Sequence, residues 1–294
     1  MDTGRLRLGM SLIGSWARAR HEGRVGDGFP GTEHQIDAGW VQANFDVQLA
    51  LLPRFAIDVD MPLRLTTLAV SAKDADGRAL LVEDTIHRSQ KLFSQGDTLL
   101  ALRWGLVRSD DVRGWTLDLQ TGASLPTGVV RPDPYSPENP EGVEKLSHGS
   151  GTLDPFVGLN TNYNVGRWGV LGWVSGRVPV VTNRYGNRAS RVVQAGAGAF
   201  TGFGLVKWRF AATHEVFYAS AVRWRDIDAP STQRTSLILG AAAYYQPRPR
   251  LGLNASLKVP YYNGAERGSW IWPVIAGIGV SYTFLLVPEE KHHH

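Results

Sequence analysis

Eight charged residues occupy equivalent phases of an alternating sequence. Asp58 and Asp60 stand two residues apart in the stretch F-A-I-D-V-D-M-P. In an extended strand their carboxylates share a face about 7 Å apart. Paired carboxylates can do general acid–base work. Arg64 follows on the same face, which points instead to a structural, ion-paired set. Arg103, Asp118, Asp154, Arg177 and Lys258 repeat the phase in later segments. Nucleophilic catalysis finds no support: there is no G-x-S-x-G, and there are no cysteines for thiol chemistry. Before the terminal run, His occurs at 21, 34, 87, 148 and 214, all in expected loops or at strand ends. The expectation is therefore no catalytic residue, no cofactor and no metal site. What remains is electrostatic. Charges that share an interior must pair or meet water. They then either brace a wall or line a path and select what passes along it. Phe156, Leu171, Trp173, Tyr244 and Ile275 fall on the same phase as large apolar groups, which either fill space or hold an apolar solute.

The segments that carry these residues are strands. In Trp115–Pro126, Trp115, Leu117, Leu119, Ala123 and Leu125 alternate with Thr116, Asp118, Gln120, Gly122 and Ser124. A period of two means one apolar and one polar face. The unit recurs at Phe55–Pro62, Trp168–Pro179 and Leu251–Pro260, each after a short Arg-bearing turn and each ending at Pro. Twelve strands are expected: 5–17, 34–51, 55–66, 97–106, 115–126, 153–163, 168–180, 191–210, 215–224, 234–246, 251–261 and 270–284. The register of 191–210 is ambiguous, and a bulge is expected at Gly202-Phe203-Gly204. In the last strand Trp272, Val274, Ala276, Ile278, Val280, Tyr282 and Phe284 share the apolar face. Pro62, Pro126, Pro179 and Pro260 lie on the polar phase, where a residue without an N–H marks the end or a bulge of a ladder.

Connections alternate in length. Short ones are expected near 52–54, 108–114, 165–167, 211–214 and 247–250. Longer ones fall near 20–33, 67–95, 128–150, 182–190, 226–233 and 262–269. An up-and-down meander has this rhythm, with turns at one rim and loops at the other. Ile86–Phe93, within the second loop, reads as an external loop, with an inward plug as the alternative.

The chain has 294 residues, 43% of them hydrophobic, with 33 Gly, 10 Trp, 9 Tyr and 10 Phe. A formal net charge of +4 without a basic stripe gives no footprint for nucleic acid. No apolar run of 18 residues exists, so no transmembrane helix is expected. Met1-Asp2-Thr3-Gly4 lacks the apolar stretch of an export signal, and His292–His294 resemble the remnant of a purification tag. A start and an end of that kind leave export open, through a signal missing from this chain.

The distribution of faces decides between a soluble and a membrane sheet. The apolar face is Leu, Val, Ile and Ala with Trp, Phe or Tyr at the strand ends, which is the girdle pattern of a membrane barrel. The opposite face is Gly, Ser, Asn, Thr and isolated charges. Strands of about 10–12 residues match a tilted crossing. The expectation is an all-β, closed, antiparallel up-and-down transmembrane β-barrel of about 12 strands. Its short turns are periplasmic and its long loops extracellular. It would form a single domain over 1–290, with 291–294 as the tag remnant, in the outer membrane of a Gram-negative bacterium.

Three stretches, in order, carry a family resemblance: Gly96–Trp104 (G-D-T-L-L-A-L-R-W), Trp115–Gly128 ending L-P-T-G, and Gly149–Leu159 (G-S-G-T-L-D-P-F-V-G-L). They resemble the outer-membrane proteins of the meta-pathway phenol-degradation family over roughly residues 35–284. Phe284 resembles the C-terminal aromatic signal of such barrels, although Leu285–Glu290 and the tag follow it. The resemblance implies a transporter-like barrel for aromatic or other hydrophobic compounds.

These readings converge on a porin-like channel for passive uptake or export of small solutes, aromatic or hydrophobic compounds among them. Its partners would be outer-membrane lipid and a small-molecule solute, with no nucleic acid and an open oligomeric state. The candidate lining residues are Asp58, Asp60, Arg64, Arg103, Asp118, Asp154, Phe156, Trp173, Arg177, Tyr244 and Lys258. The alternatives are a non-conducting structural or adhesion barrel with a sealed lumen and, third, an outer-membrane enzyme.

Overall fold

A computed structural model describes residues 4–22, 33–74, 76–80, 89–109, 113–130, 147–203, 207–224, 227–228, 232–265 and 272–286. Twelve strands form the wall: β1 (Arg5–Glu22), β2 (Glu33–Leu52), β3 (Phe55–Lys73), β4 (Thr98–Val107), β5 (Arg113–Leu125), β6 (Asp154–Val165), β7 (Trp168–Arg177), β8 (Val192–Phe203), β9 (Trp208–Ala219), β10 (Arg234–Arg248), β11 (Leu251–Ala265) and β12 (Ile275–Leu285). Each pairs antiparallel with its neighbours in sequence. The first and last strands also pair, from Arg5 opposite Leu285 to Ser15 opposite Ile275. The sheet is thus a closed barrel, and closure leaves no open edge for lipid to meet.

The faces separate as the alternation requires. On β11 and β12, Leu253, Leu257, Val259, Ile278, Val280, Tyr282 and Phe284 are exposed at the outer surface. Their neighbours Asn254, Ser256, Lys258, Ile275 and Gly277 line a cavity inside. An outer face with Ile278 at 61% and Trp168 at 64% exposure is the reverse of a water-soluble fold. At the turn rim the outer aromatics form a belt. Trp104 meets Phe55 at 5.8 Å, Trp115 meets Tyr163 at 4.7 Å, Trp208 stacks on Tyr245 at 4.3 Å and Tyr282 meets Phe284 at 4.7 Å. Such rings sit where hydrocarbon gives way to headgroups.

Several boundaries differ from the sequence reading. Strands β1, β2 and β3 run 18, 20 and 19 residues, well past the length a crossing needs. Gln90–Gln95 pairs with β3 at Leu68–Leu63 and so continues the wall above β4 rather than plugging it. Ile86, His87 and Arg88 lie outside the described residues, as do 23–32, 131–146 and the terminal His run. The connection expected at 211–214 is strand. β8 ends at Phe203 and β9 begins at Trp208, with an unbroken ladder from Val192–Ala219 to Phe203–Trp208 and no bulge at Gly202. Trp208 opens its strand, as Trp168 does, while the small Ala211-Ala212-Thr213 run mimics a turn. Trp272 is not on the outer face expected for it. Pro273 interrupts the alternation before β12 starts, and Trp272 faces inward against Trp40.

The prolines act as expected. Pairing of β3 with β4 stops at Asp60–Leu99 and resumes with the upper segment at Leu63–Gln95. Pro62 sits in the gap, with its carbonyl accepting from the Gly96 N–H at 2.8 Å. Near Pro260 the β10–β11 register shifts between Leu237 and Ile238.

Leu257 lies midway along the lipid-facing row of β11. Leu257→Arg is expected to lower the free energy of folding into lipid vesicles by about 2–4 kcal/mol. Ser256→Lys, one residue away on the inner face, is expected to leave it within about 0.5 kcal/mol. Urea titrations in vesicles, followed by tryptophan fluorescence, check both.

Candidate functional site: an asymmetric lumen

The inner face is not uniform around the barrel. From β2 to β6 it carries long polar side chains that bond across strands. Asp58 is the hub. It accepts from Gln48 Nε2 at 2.8 Å, Arg103 Nε at 2.8 Å and Gln120 Nε2 at 3.1 Å. The register explains this, because Gln48 and Ala101 flank Asp58 while Arg103 and Gln120 are directly opposed one step along. Gln120 in turn accepts from Asn160 at 3.2 Å. Below the hub, Arg108 pairs with Asp118. Above it, Asp154 is buried, accepts from the Thr152 hydroxyl and lies 3.8 Å from Arg177 Nε. Phe156 packs against Gly122, where a side chain would have no room.

Two pairings expected from sequence do not form. Arg64 does not neutralise Asp58 and Asp60. Its Nε donates to the Gln42 amide oxygen at 2.8 Å, and a second guanidinium nitrogen donates to the same atom. Asp60 stands opposite Asp46, and its Oδ1 is buried with no hydrogen-bond partner among the described residues.

From β8 to β12 much of the inner face is small: Gly196, Ala211, Thr213, Gly240, Ala242, Gly252, Asn254, Ser256, Gly277, Gly279 and Ser281 stand between larger groups such as Arg209, Phe217, Tyr244 and Lys258. Space remains there, as three adjoining cavities of about 910, 390 and 560 Å³. The upper is lined by Trp40, Arg64, Ser147, His148, Phe217, Arg234, Lys258 and Trp272, among others. It shares Asn254, Ser256 and Lys258 with the middle one. The middle one shares Asn162, Leu171, Ala211, Tyr244 and Asn254 with the lower. Asn254 touches all three. At the upper junction Lys258 Nζ donates to Glu215 Oε2 at 2.8 Å, and Thr213 donates to the other carboxylate oxygen at 3.3 Å.

Of the candidates read from sequence, Arg64, Trp173, Tyr244 and Lys258 line these cavities. Asp58, Asp60, Arg103, Asp118, Asp154, Phe156 and Arg177 face the lumen on the β3–β7 arc, outside the linings of all three cavities. Sequence reasoning missed Glu215, because the misplaced turn put it at a strand start. It missed Arg209 for the same reason. Arg7 lines the lower cavity from the inner phase of β1, a phase that the alternation of Arg5–Ala17 already assigns to it.

The loop between β5 and β6 is tied back into this site. Asp97 accepts from the Gly128 N–H at 3.0 Å and from the Ser150 N–H and hydroxyl at 2.7 and 2.6 Å. Gly128 and Gly149 pass backbone to backbone, too close for side chains. His148 is buried between Thr66 Oγ1 at 2.9 Å and Ser94 Oγ at 2.8 Å. The Ser94 contact has the length of a nucleophile–base pair, but Thr66 takes the other nitrogen where a triad places a carboxylate. His214, expected at a strand end, lies within β9 on the outer face, 2.6 Å from the Tyr261 hydroxyl.

No family model matches the chain, and no curated protein matches it in sequence. Solved structures do match it in shape. An outer-membrane channel of Pseudomonas putida F1 aligns over 97% of both chains, with a TM-score of 0.66 and 10% identity. The translocator domain of the autotransporter NalP from Neisseria meningitidis aligns over 97% of this chain and 90% of its own, at a TM-score of 0.44 and 12% identity. At such identity the first likeness is one of fold: this chain has the architecture of an outer-membrane barrel. The second is too loose to carry more.

Two outcomes test the site. Asp58→Asn removes the charge that holds Arg103 and is expected to cost about 1–3 kcal/mol of stability. A double-mutant cycle with Arg103→Gln should show the two losses to be coupled. Burial, and then the Arg64 charge, hold the His148 imidazole below its ordinary value. A depressed value means that the folded state binds this proton less readily than the unfolded chain. The contribution is complete above about pH 6.5 and falls away as the solution is acidified. Between pH 7 and pH 5 the wild type should lose more stability than His148→Asn in matched urea titrations.

Proposed function

We propose that the protein is a passive outer-membrane channel for small organic solutes. The observation that carries this reading is the file of three adjoining cavities along the small-residue wall, sharing Asn254 throughout. A sealed structural barrel needs no such file, since larger side chains at Ala211, Ala242 or Ser256, which line it, would fill it. Ligand sites commonly have volumes of a few hundred to about a thousand Å³, and the upper cavity lies in that range.

The division of the lumen supports the reading. The hub at Asp58 and the Asp154 cluster brace the arc from β2 to β6. Arg64, Trp173, Tyr244 and Lys258 stand on the path, where they would contact a solute. The Lys258–Glu215 pair marks the junction between the upper and middle cavities and is the candidate constriction. Aromatic groups in the upper cavity suit solutes with a planar apolar body, which agrees with the resemblance to the meta-pathway phenol-degradation family. The chain acts without catalysis in this reading, in the outer membrane, as a single barrel domain.

Planar-bilayer recordings test it. The purified barrel should give discrete unitary currents. Lys258→Ala and Glu215→Ala, which remove the constriction, should raise unit conductance by about half or more while the barrel keeps its folded mobility on gels. Absence of current from folded, inserted protein overturns the channel reading.

A further inference from the structure

We infer that the path is built for organic anions and that its upper cavity is a binding site for an aromatic carboxylate. The inference rests on the channel reading and names its solute. It comes from the placement of charge. The three cavities are lined by seven lysines and arginines: Arg64, Arg234 and Lys258 in the upper part, and Arg7, Lys207, Arg209 and Arg250 at the lower, turn-side mouth. Against them stands one carboxylate, Glu215, and it is committed to Lys258. Among the described residues the other inward carboxylates, Asp46, Asp58, Asp60, Asp97, Asp118 and Asp154, lie on the β2–β6 arc, outside these linings; Asp97, whose charge reaches Arg64, is itself held by Gly128 and Ser150. The lumen is therefore polarised across its width, with net negative charge in the braced wall, where Arg103, Arg108 and Arg177 are already paired, and positive charge along the space.

The upper cavity adds chemistry to charge. Arg64 donates to a neutral amide, Gln42, and has no carboxylate within ion-pair distance among the described residues. Arg234 lies over the Phe217 ring at 4.8 Å, likewise without a carboxylate partner among them. A guanidinium in a partly desolvated wall favours a planar bidentate anion, and a carboxylate fits it. Around these groups stand Trp40 and Trp272, edge to face at 6.1 Å, together with Phe217 and Ile275. They provide flat apolar surface for a ring. A purely hydrophobic solute would leave both arginines desolvated and unpaired, whereas an inorganic anion would leave the aromatic walls unused. An aromatic carboxylate satisfies both. The basic lower mouth would then draw or release the anion at the turn rim.

The test uses three probes on the purified barrel: benzoate, benzyl alcohol and inorganic phosphate. Binding is read by quenching of tryptophan fluorescence, and permeation by reversal potential in a KCl gradient. Benzoate should bind at least tenfold more tightly than either other probe. Arg64→Gln and Arg234→Gln should each weaken it by about tenfold, the size expected for one charge-assisted contact. Chloride should permeate several times faster than potassium. Both variants must keep the heat-modifiable gel shift of a folded barrel. Arg64→Lys, which keeps the charge without the fork, should retain chloride preference but bind benzoate less tightly. Equal binding of benzyl alcohol and benzoate, or of phosphate and benzoate, overturns the aromatic-carboxylate assignment, as does a preference for potassium. Any of these in a conducting barrel leaves the channel reading intact. A folded barrel that binds benzoate but carries no current fails the channel reading alone.

Discussion

Hydrocarbon offers no partner to a peptide N–H or C=O. That constraint governs every other feature of this chain. Twelve strands satisfy it by pairing in sequence and then closing, with β1 hydrogen-bonded to β12 from Arg5–Leu285 to Ser15–Ile275. Once the ring is closed, the strand period assigns each side chain to lipid or lumen, and a shift of one residue would reverse every assignment. The outer rows of Leu, Val, Ile and Ala between aromatic belts, and the inner rows of polar and small residues, are two readings of one register.

The lumen then has to solve the opposite problem. Charges facing a narrow interior need partners, and here most of the pairs gather on one arc, with Lys258–Glu215 across from it. Asp58 collects Gln48, Arg103 and Gln120 across four strands, and Arg108–Asp118 and Arg177–Asp154 extend the bracing along the barrel. The other side is richer in Gly, Ala, Ser and Asn, and the cavities follow it. The rigid half of the lumen and the open half are consequences of one uneven distribution of side-chain size.

Much of this was legible in the sequence. Alternation at Trp115–Leu125, the Arg-bearing turns and the terminal prolines fixed the strand number, closure and the phase of each candidate residue. Local alternation cannot show which inward charges meet. Arg64 looked like the partner of Asp58 and Asp60 because they share a strand, yet cross-strand register gives it Gln42 and gives Asp58 to Arg103. Nor could it place elements whose pattern is interrupted. Pro273 uncouples Trp272 from β12, and the small Ala211–Thr213 run concealed the middle of β9, and with it Glu215. Which residues line open space depends on side-chain size on both sides of the lumen, a property of strands far apart in sequence.

The absence of native cysteine makes the central claim, a one-sided path through a half-braced lumen, directly measurable. Single cysteines can be placed at Asn254, which touches all three cavities, and at Gln120, which is bound into the Asp58 network. Reaction of each with a small, charged, membrane-impermeant thiol reagent is then timed in lipid vesicles. The account predicts rapid modification of Asn254→Cys and protection of Gln120→Cys. Equal rates at the two positions, or protection at 254 with reaction at 120, would contradict it.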